Sequence, residues 1–261
     1  MRILAIGDVV GSHGTEFIRR NLWSIRKEHK IDMTVLNGEN AAKGNGLDAD
    51  TAETLFASGA DVITSGNHIW QKHEMKHYIE DAEYLLRPAN YPHECPGSGV
   101  CIYDASGVKV LVMSLLGNVY MPDAFDCPFR TAERLLEKYK GDYDVSVIDF
   151  HAEATSEKIA LAKYLDGKVS VVFGTHTHVQ TNDARVLSGG TGFVTDLGMT
   201  GVLDSILGVK NECILQKFLY KMPVKFEEPE GEIMFNGCVF EVDEENGRCK
   251  DAYLVNFVEH N

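Results

Sequence analysis

Long apolar runs are missing from this 261-residue chain: none reaches the roughly 18–20 residues of a membrane span. The opening Met1-Arg2-Ile3-Leu4-Ala5-Ile6-Gly7-Asp8 is too short and too soon interrupted for a secretory leader. Cysteine pairing signals are absent too, since Cys95, Cys101, Cys127, Cys213, Cys238 and Cys249 include no C-x-x-C. Reduced thiols in a cytoplasm, with no membrane partner, are the expectation. Positive charge is scarce, with 25 Lys and Arg against 39 Asp and Glu, a net charge of −14. Such a surface repels nucleic-acid backbones, so no tight nucleic-acid binding is expected. A small anionic substrate stays open, because bound cations invert the local field. Repeats, low-complexity tracts and Pro/Gly/Ser linkers are lacking, and residues 1–261 read as a single domain.

What is present is an alternation. Short, β-branched-rich runs predict strands at Ile3–Ile6, Met33–Leu36, Val62–Thr64, Val110–Leu115, Val145–Phe150 and Val169–Phe173. Between them, Ile18, Leu22 and Ile25 follow Thr15 at helical spacing, with Thr15 as the expected N-cap. Asp48 opens a helix carrying Leu55 and Phe56, which Gly59 closes. Leu135, Leu136 and Tyr139 mark another helix, and Ile159, Ala162 and Leu165 one more. Towards the end, Arg185–Leu187 and Thr191–Thr195 read as a hairpin, and Cys238–Val242 and Tyr253–Phe257 flank the turn-forming Asn246-Gly247. The pattern predicts an α/β fold with antiparallel additions.

The chemistry follows the strands. Gly7-Asp8, Asn37-Gly38-Glu39-Asn40, Ser65-Gly66-Asn67-His68, His151 (with Asp149 inside its run) and Gly174-Thr175-His176-Thr177-His178 each end a predicted strand. Carboxyl ends of parallel strands are where open α/β sheets place ligands. Oxygen and imidazole donors of this kind suit two divalent cations, and a carboxylate can bridge ions about 3.5–4 Å apart. Taken singly, Asp8 also reads as a helix cap, Glu39-Asn40 as a turn and Asn67-His68 as a solvated loop. His176 and His178, as alternate residues of a strand, would share one face.

In this order, Asp8, Gly66-Asn67-His68, His151 and Gly174-Thr175-His176-Thr177-His178 resemble the calcineurin-like metallophosphoesterases. The segments Ile6-Gly7-Asp8-Val9-Val10-Gly11, Asn37-Gly38-Glu39-Asn40-Ala41-Ala42 and Thr64-Ser65-Gly66-Asn67-His68 look more narrowly like the YmdB-like branch. Both departures of that branch recur here: Val10 stands where the D-x-H histidine belongs, and Glu39 replaces the bridging aspartate. The resemblance implies a four-layer α/β/β/α sandwich, with iron or manganese as metals. It implies a first ion on Asp8, Glu39, Asn40 and His178, and a second on Glu39, Asn67, His151 and His176. It also implies 2′,3′-cyclic nucleotides as substrates, opened at the 2′ bond, and a tendency to self-associate. A hydroxide bridging the ions would be the nucleophile, and His68, next to the ligand Asn67 but not needed as one, the general acid. Rival readings are a phosphomonoesterase at the same site and a non-catalytic nucleotide or metal sensor.

Other signals carry less. His13, close after Asp8, and Lys43, in Lys43-Gly44-Asn45-Gly46, are weak substrate-binding candidates; the latter loop is no Walker motif, since no G-K-[ST] follows. His73 and His77 lack a third ligand and read as a solvated helix face. Arg130 and Leu203–Gly208 face either the site or a subunit interface.

Overall fold

The computed structural model describes residues 1–123 and 125–259. The first half runs β1 (Arg2–Ile6), β2 (Asp8–Val9), α1 (Gly11–His29), β3 (Met33–Asn37), α2 (Ala49–Ala57), β4 (Val62–Thr64), α3 (Met75–Asp81) and β5 (Leu85–Leu86). Next come β6 (Val100–Ala105), β7 (Val108–Leu116), α4 (Pro128–Lys138), β8 (Val145–His151), α5 (Thr155–Tyr164) and β9 (Val171–Thr175). The chain closes with β10 (Arg185–Val186), β11 (Gly192–Val194), β12 (Met199–Val202), α6 (Asn211–Tyr220), β13 (Ile233–Val242) and β14 (Cys249–Glu259).

These strands make two sheets. One has the order β2-β12-β13-β1-β3-β4-β5, with β14 also on β13; the other is β10-β11-β9-β8-β7-β6. The central strands β1, β3 and β4 run parallel, as do β7, β8 and β9. Their sequences are mostly apolar because each is covered on both faces, with polar residues standing at the carboxyl ends of β3, β4, β8 and β9. In β1, Ile3 and Ala5 point to the opposing sheet, whereas Leu4 and Ile6 pack against Phe17, Ile18 and Leu22 of α1. Likewise Val145 and Val147 of β8 enter the space between the sheets, and Ile148 and Phe150 meet Leu135 of α4 and Leu161 of α5. The period of two along each strand thus builds the four α/β/β/α layers. Among the described residues, no helix is long and apolar enough to cross a membrane.

Asp48 caps α2 as the sequence predicts, its Oδ1 accepting from Thr51 N–H at 2.9 Å. Gly59, just past the helix, takes φ +110°. The Arg185 hairpin forms as β10 and β11, and the final pair forms as β13 and β14. Thr15 is not a cap. Gly11, at φ +66°, turns the chain straight from β2 into α1, with Val10 at the cap, and Thr15 lies inside the helix, its hydroxyl donating to Ala41 O at 3.0 Å. The strand expected at Val169–Phe173 sits two residues later, as β9. His73 precedes α3 and His77 lies in it; His260 falls outside the described residues.

Candidate metal centre

Parallel strands bring their carboxyl ends to one rim, and the predicted donors gather there. Asp8 (β2) and Glu39 (after β3) are buried, at 0% and 1% exposure, although both are carboxylates. Glu39 Oε1 lies 3.2 Å from His151 Nε2. His151 Nε2 in turn lies 3.0 Å from His176 Nδ1. On the other side, His178 Nε2 lies 3.6 Å from Asp8 Oδ1 and 3.3 Å from Asn40 Nδ2. His176 N–H donates to Asp8 Oδ2 at 3.0 Å. The ligand atoms of Glu39, His151 and His176 all lie within 4.8 Å of one another.

His176 and His178 reach the cluster by a route the spacing does not foretell. β9 stops at Thr175, and the two histidines stand in left-handed backbone, at φ +100° and +64°. They converge through a sharp turn, not by alternating along a strand. Such conformations cost non-glycine residues on the order of 1–3 kcal/mol each, so the surroundings must hold them. Thr177 does so, its hydroxyl donating to Asp196 Oδ2 at 2.8 Å. His178 Nδ1 is fixed 3.1 Å from Leu207 O. The Leu203–Gly208 segment therefore faces the site, while Arg130 pairs with Glu133 at 2.9 Å on the surface of α4.

The electrostatics favour positive charge. Burial pushes Glu39 up, but the charge and hydrogen bond of His151, then His68, hold it well below the ordinary carboxylate value. Asp8 is lowered in the same way, burial being outweighed by the hydrogen bond and charge of His178 and by His151. Burial opposes the charged form of His151, yet the Glu39 carboxylate and then Asp8 raise it to about 9. His178 is raised by Asp8 against its own burial. His176 falls to about 4, through burial and the neighbouring His151 charge, and is neutral near pH 7. Burial lifts Asp149 to about 6, offset in part by His151 and hydrogen bonds from Thr175, Thr64 and Asn37.

Divalent cations fit this cluster on three counts. Asp8 Oδ1 and Asn67 Oδ1 are buried oxygens with no hydrogen-bond partner, which is costly unless another group satisfies them. Gly66 keeps space open: a Cβ there would fall well inside van der Waals contact of Glu39 Oε2 and His151 Nε2. Every donor is oxygen or imidazole nitrogen, the set preferred by non-thiophilic divalent ions.

A cavity of about 310 Å³ opens over the cluster, walled by Glu39, Asn40, His68, His176 and His178. His68 Nδ1 stands 3.0 Å from both Asn40 Oδ1 and Glu39 Oε1, which leaves Nε2 as the nitrogen available to a ligand. His13 and Lys43 do not line this cavity. They line a neighbouring one of about 590 Å³ that shares Val10, Asn40, Asn45 and Phe226 with it. The sequence reading missed Glu153, whose Oε2 lies 3.1 Å from His176 Nε2, and Phe226, which enters from an irregular segment without a motif.

Carboxylates kept charged away from water, and imidazoles turned towards them, belong on this sandwich to one class of hydrolase: the metallophosphoesterases, which open phosphate esters with divalent cations. The chain belongs to the YmdB-like family, whose profile matches residues 4–255. It is 45% identical over 245 residues to the 2′,3′-cyclic-nucleotide 2′-phosphodiesterase of Bacillus subtilis, covering 94% of this chain and 92% of that one. A solved hypothetical protein from Thermus thermophilus superposes with a TM-score of 0.93 at 40% identity, over 99% of this chain and 100% of the other. A novel phosphatase from Mycoplasma pneumoniae gives a TM-score of 0.92 at 32% identity, over 100% and 94%.

Proposed function

We propose that the protein hydrolyses 2′,3′-cyclic nucleotides to 3′-nucleotides, with Asp8, Glu39, Asn40 and His178 holding one ion, and Glu39, Asn67, His151 and His176 a second. Iron or manganese suits this all-nitrogen-and-oxygen donor set. The grouping of Asp8 with His178, and of Glu39 with His151 and His176, supports the division. Two divalent cations would supply an acidified water and withdraw charge from the phosphate oxygens. The remaining work falls to the chain. Burial of Asp8 and Glu39 excludes bulk water from around the ligands. His68, its Nδ1–H held by Asn40 Oδ1 and Glu39, presents Nε2 to the leaving ribose oxygen and, as the doubly protonated imidazolium, gives it a proton and is left neutral.

The observation that carries this reading is His68 in the cavity wall beside Glu39, Asn40, His176 and His178, in a chain 45% identical to a named cyclic-nucleotide phosphodiesterase. A cavity of about 310 Å³ is on the scale of small-ligand sites. A net charge of −14 supports a single small phosphodiester over a long nucleic acid. We also propose one domain, supported by β13 pairing with β1 across most of the chain. Residence in a cytoplasm is supported by six free cysteines. Self-association is supported by Leu215, Phe218, Leu219 and Tyr220, which α6 leaves exposed.

Chromatography of products from 2′,3′-cyclic AMP and manganese-loaded protein tests the reading. Appearance of 3′-AMP supports it. Appearance of 2′-AMP refutes the bond assignment, and hydrolysis of phosphomonoesters alone refutes the substrate class.

A further inference from the structure

Asp149 is wholly buried in β8, two residues before His151, and does not line the cavity. Its surroundings come from both sheets. Thr175 Oγ1, on β9, donates to Oδ1 at 2.7 Å. Thr64 Oγ1, on β4, and Asn37 Nδ2, on β3, donate to Oδ2 at 2.5 and 2.8 Å. An ionised carboxylate, an acceptor only, satisfies all of these donors.

Thr175 has one hydroxyl proton, and it goes to Asp149. Its oxygen, 2.9 Å from His151 Nδ1, can then only accept, so Nδ1 carries a proton. That leaves Nε2, 3.2 Å from Glu39 Oε1, as the nitrogen whose proton is given up when a cation binds, freeing its lone pair for the cluster. The same carboxylate settles the amide of Asn37. With Nδ2 on Asp149, Asn37 Oδ1 turns to accept the Glu39 N–H at 3.1 Å.

We infer that Asp149 is a positioning residue for the metal centre: through Thr175 it sets which nitrogen His151 presents, and through Asn37 it places Glu39. The inference rests on the proposed ligand roles of His151 and Glu39. An asparagine at 149 keeps the shape but brings an NH2 among three donors. Either Thr175 then turns its proton onto His151 Nδ1, or Asn37 must flip away from Glu39. Both outcomes spoil the cluster without removing a ligand.

The test is Mn²⁺ binding, followed by electron paramagnetic resonance, in the wild type and in Asp149→Asn, Thr175→Val and Thr175→Ser. Partners behind metal ligands typically contribute about 10–100-fold in affinity. Asp149→Asn and Thr175→Val are expected to lose that much, and Thr175→Ser, which restores the hydroxyl, to recover it. A merely structural role would lower the melting temperature and leave Mn²⁺ affinity at the wild-type value; that result in Asp149→Asn overturns the inference. If Asp149→Asn does not fold, the two Thr175 variants decide, and equal affinities for Val and Ser overturn it. Failure of the wild type itself to bind Mn²⁺ would instead remove the metal reading on which the inference stands.

Discussion

Lys158 and Asp196 form an ion pair at 2.6 Å with both side chains only 1% exposed. Asp196 Oδ2 also accepts from the Thr177 hydroxyl, so the pair lies directly behind the turn that carries His176 and His178. Its other oxygen takes Gly198 N–H at 2.8 Å. The pair thereby ties α5 to two proposed ligands in left-handed backbone.

Lys158→Met removes the cation and strands the Asp196 charge. Breaking one side of a buried pair costs about 3–5 kcal/mol, a large share of the roughly 5–15 kcal/mol typical of a domain. Urea unfolding is expected to show that loss, with metal content lowered as the turn relaxes. An unchanged unfolding midpoint would show that the pair contributes nothing net.

Gly66→Ala drives a methyl group against Glu39 Oε2 and the ring of His151, closer than non-bonded atoms can stand. One of these ligands must move. Metal affinity is expected to fall by on the order of 10–100-fold or more, comparable to disturbing the shell behind a ligand. Metal analysis of the purified variant checks this, and retention of wild-type metal would mean the cradle can yield.

His68→Ala leaves every proposed ligand in place. Metal content is expected to stay the same while kcat on 2′,3′-cyclic AMP falls by about 10²–10⁴-fold, the usual contribution of a general acid. Full activity in this variant would move the proton donor elsewhere, with Glu153 the next group in the cavity wall.

Burial works against a charged His151, but Glu39 and Asp8 prevail and raise it from an ordinary 6.5 to about 9. A histidine raised in the folded state contributes stability that is complete below its unfolded pKa and is lost as pH rises through the folded one. Chelator-treated protein should therefore weaken between pH 6.5 and about 9, and His151→Gln should lack that decline. Metal loading at neutral pH should release this proton, which shows in calorimetry as a binding enthalpy that varies with the buffer. A buffer-independent enthalpy would contradict the assignment.

The ligand rim is readable in the sequence because parallel strands carry sequence order into spatial order: whatever follows β1, β3, β4, β8 and β9 comes to one edge. Asp8, Glu39, Asn40, His68, His151, His176 and His178 come within short range of one another there, and Asn67 sits between β4 and His68 with its Oδ1 buried and unpaired. The means of convergence is not readable for His176 and His178, since alternation in a strand and a left-handed turn leave the same spacing. Asp149 is visible only as a polar residue inside an apolar run, and its partners lie on three other strands. Lys158 looks like any lysine of a solvated helix; only the packing of α5 on its sheet buries it. Helix α6 leaves no clear pattern because many of its apolar residues are exposed, not confined to one buried stripe. Thr15 shows the converse, a good cap residue overruled by a glycine upstream that starts the helix early.

In β1, Leu4 pairs with Val239 and Ile6 with Gly237 of β13, so the strand leading into Asp8 is flanked by one of the last strands made. During synthesis, β3 is available to β1 early, but its other edge stays bare until nearly the whole chain has emerged. A pairing of such sequence separation is slow to close. The first proposed ligand in the sequence thus follows a strand that is among the last to be flanked on both sides, and a nascent chain cut short before β13 would carry all the proposed histidine ligands on a rim whose leading strand lacks one partner.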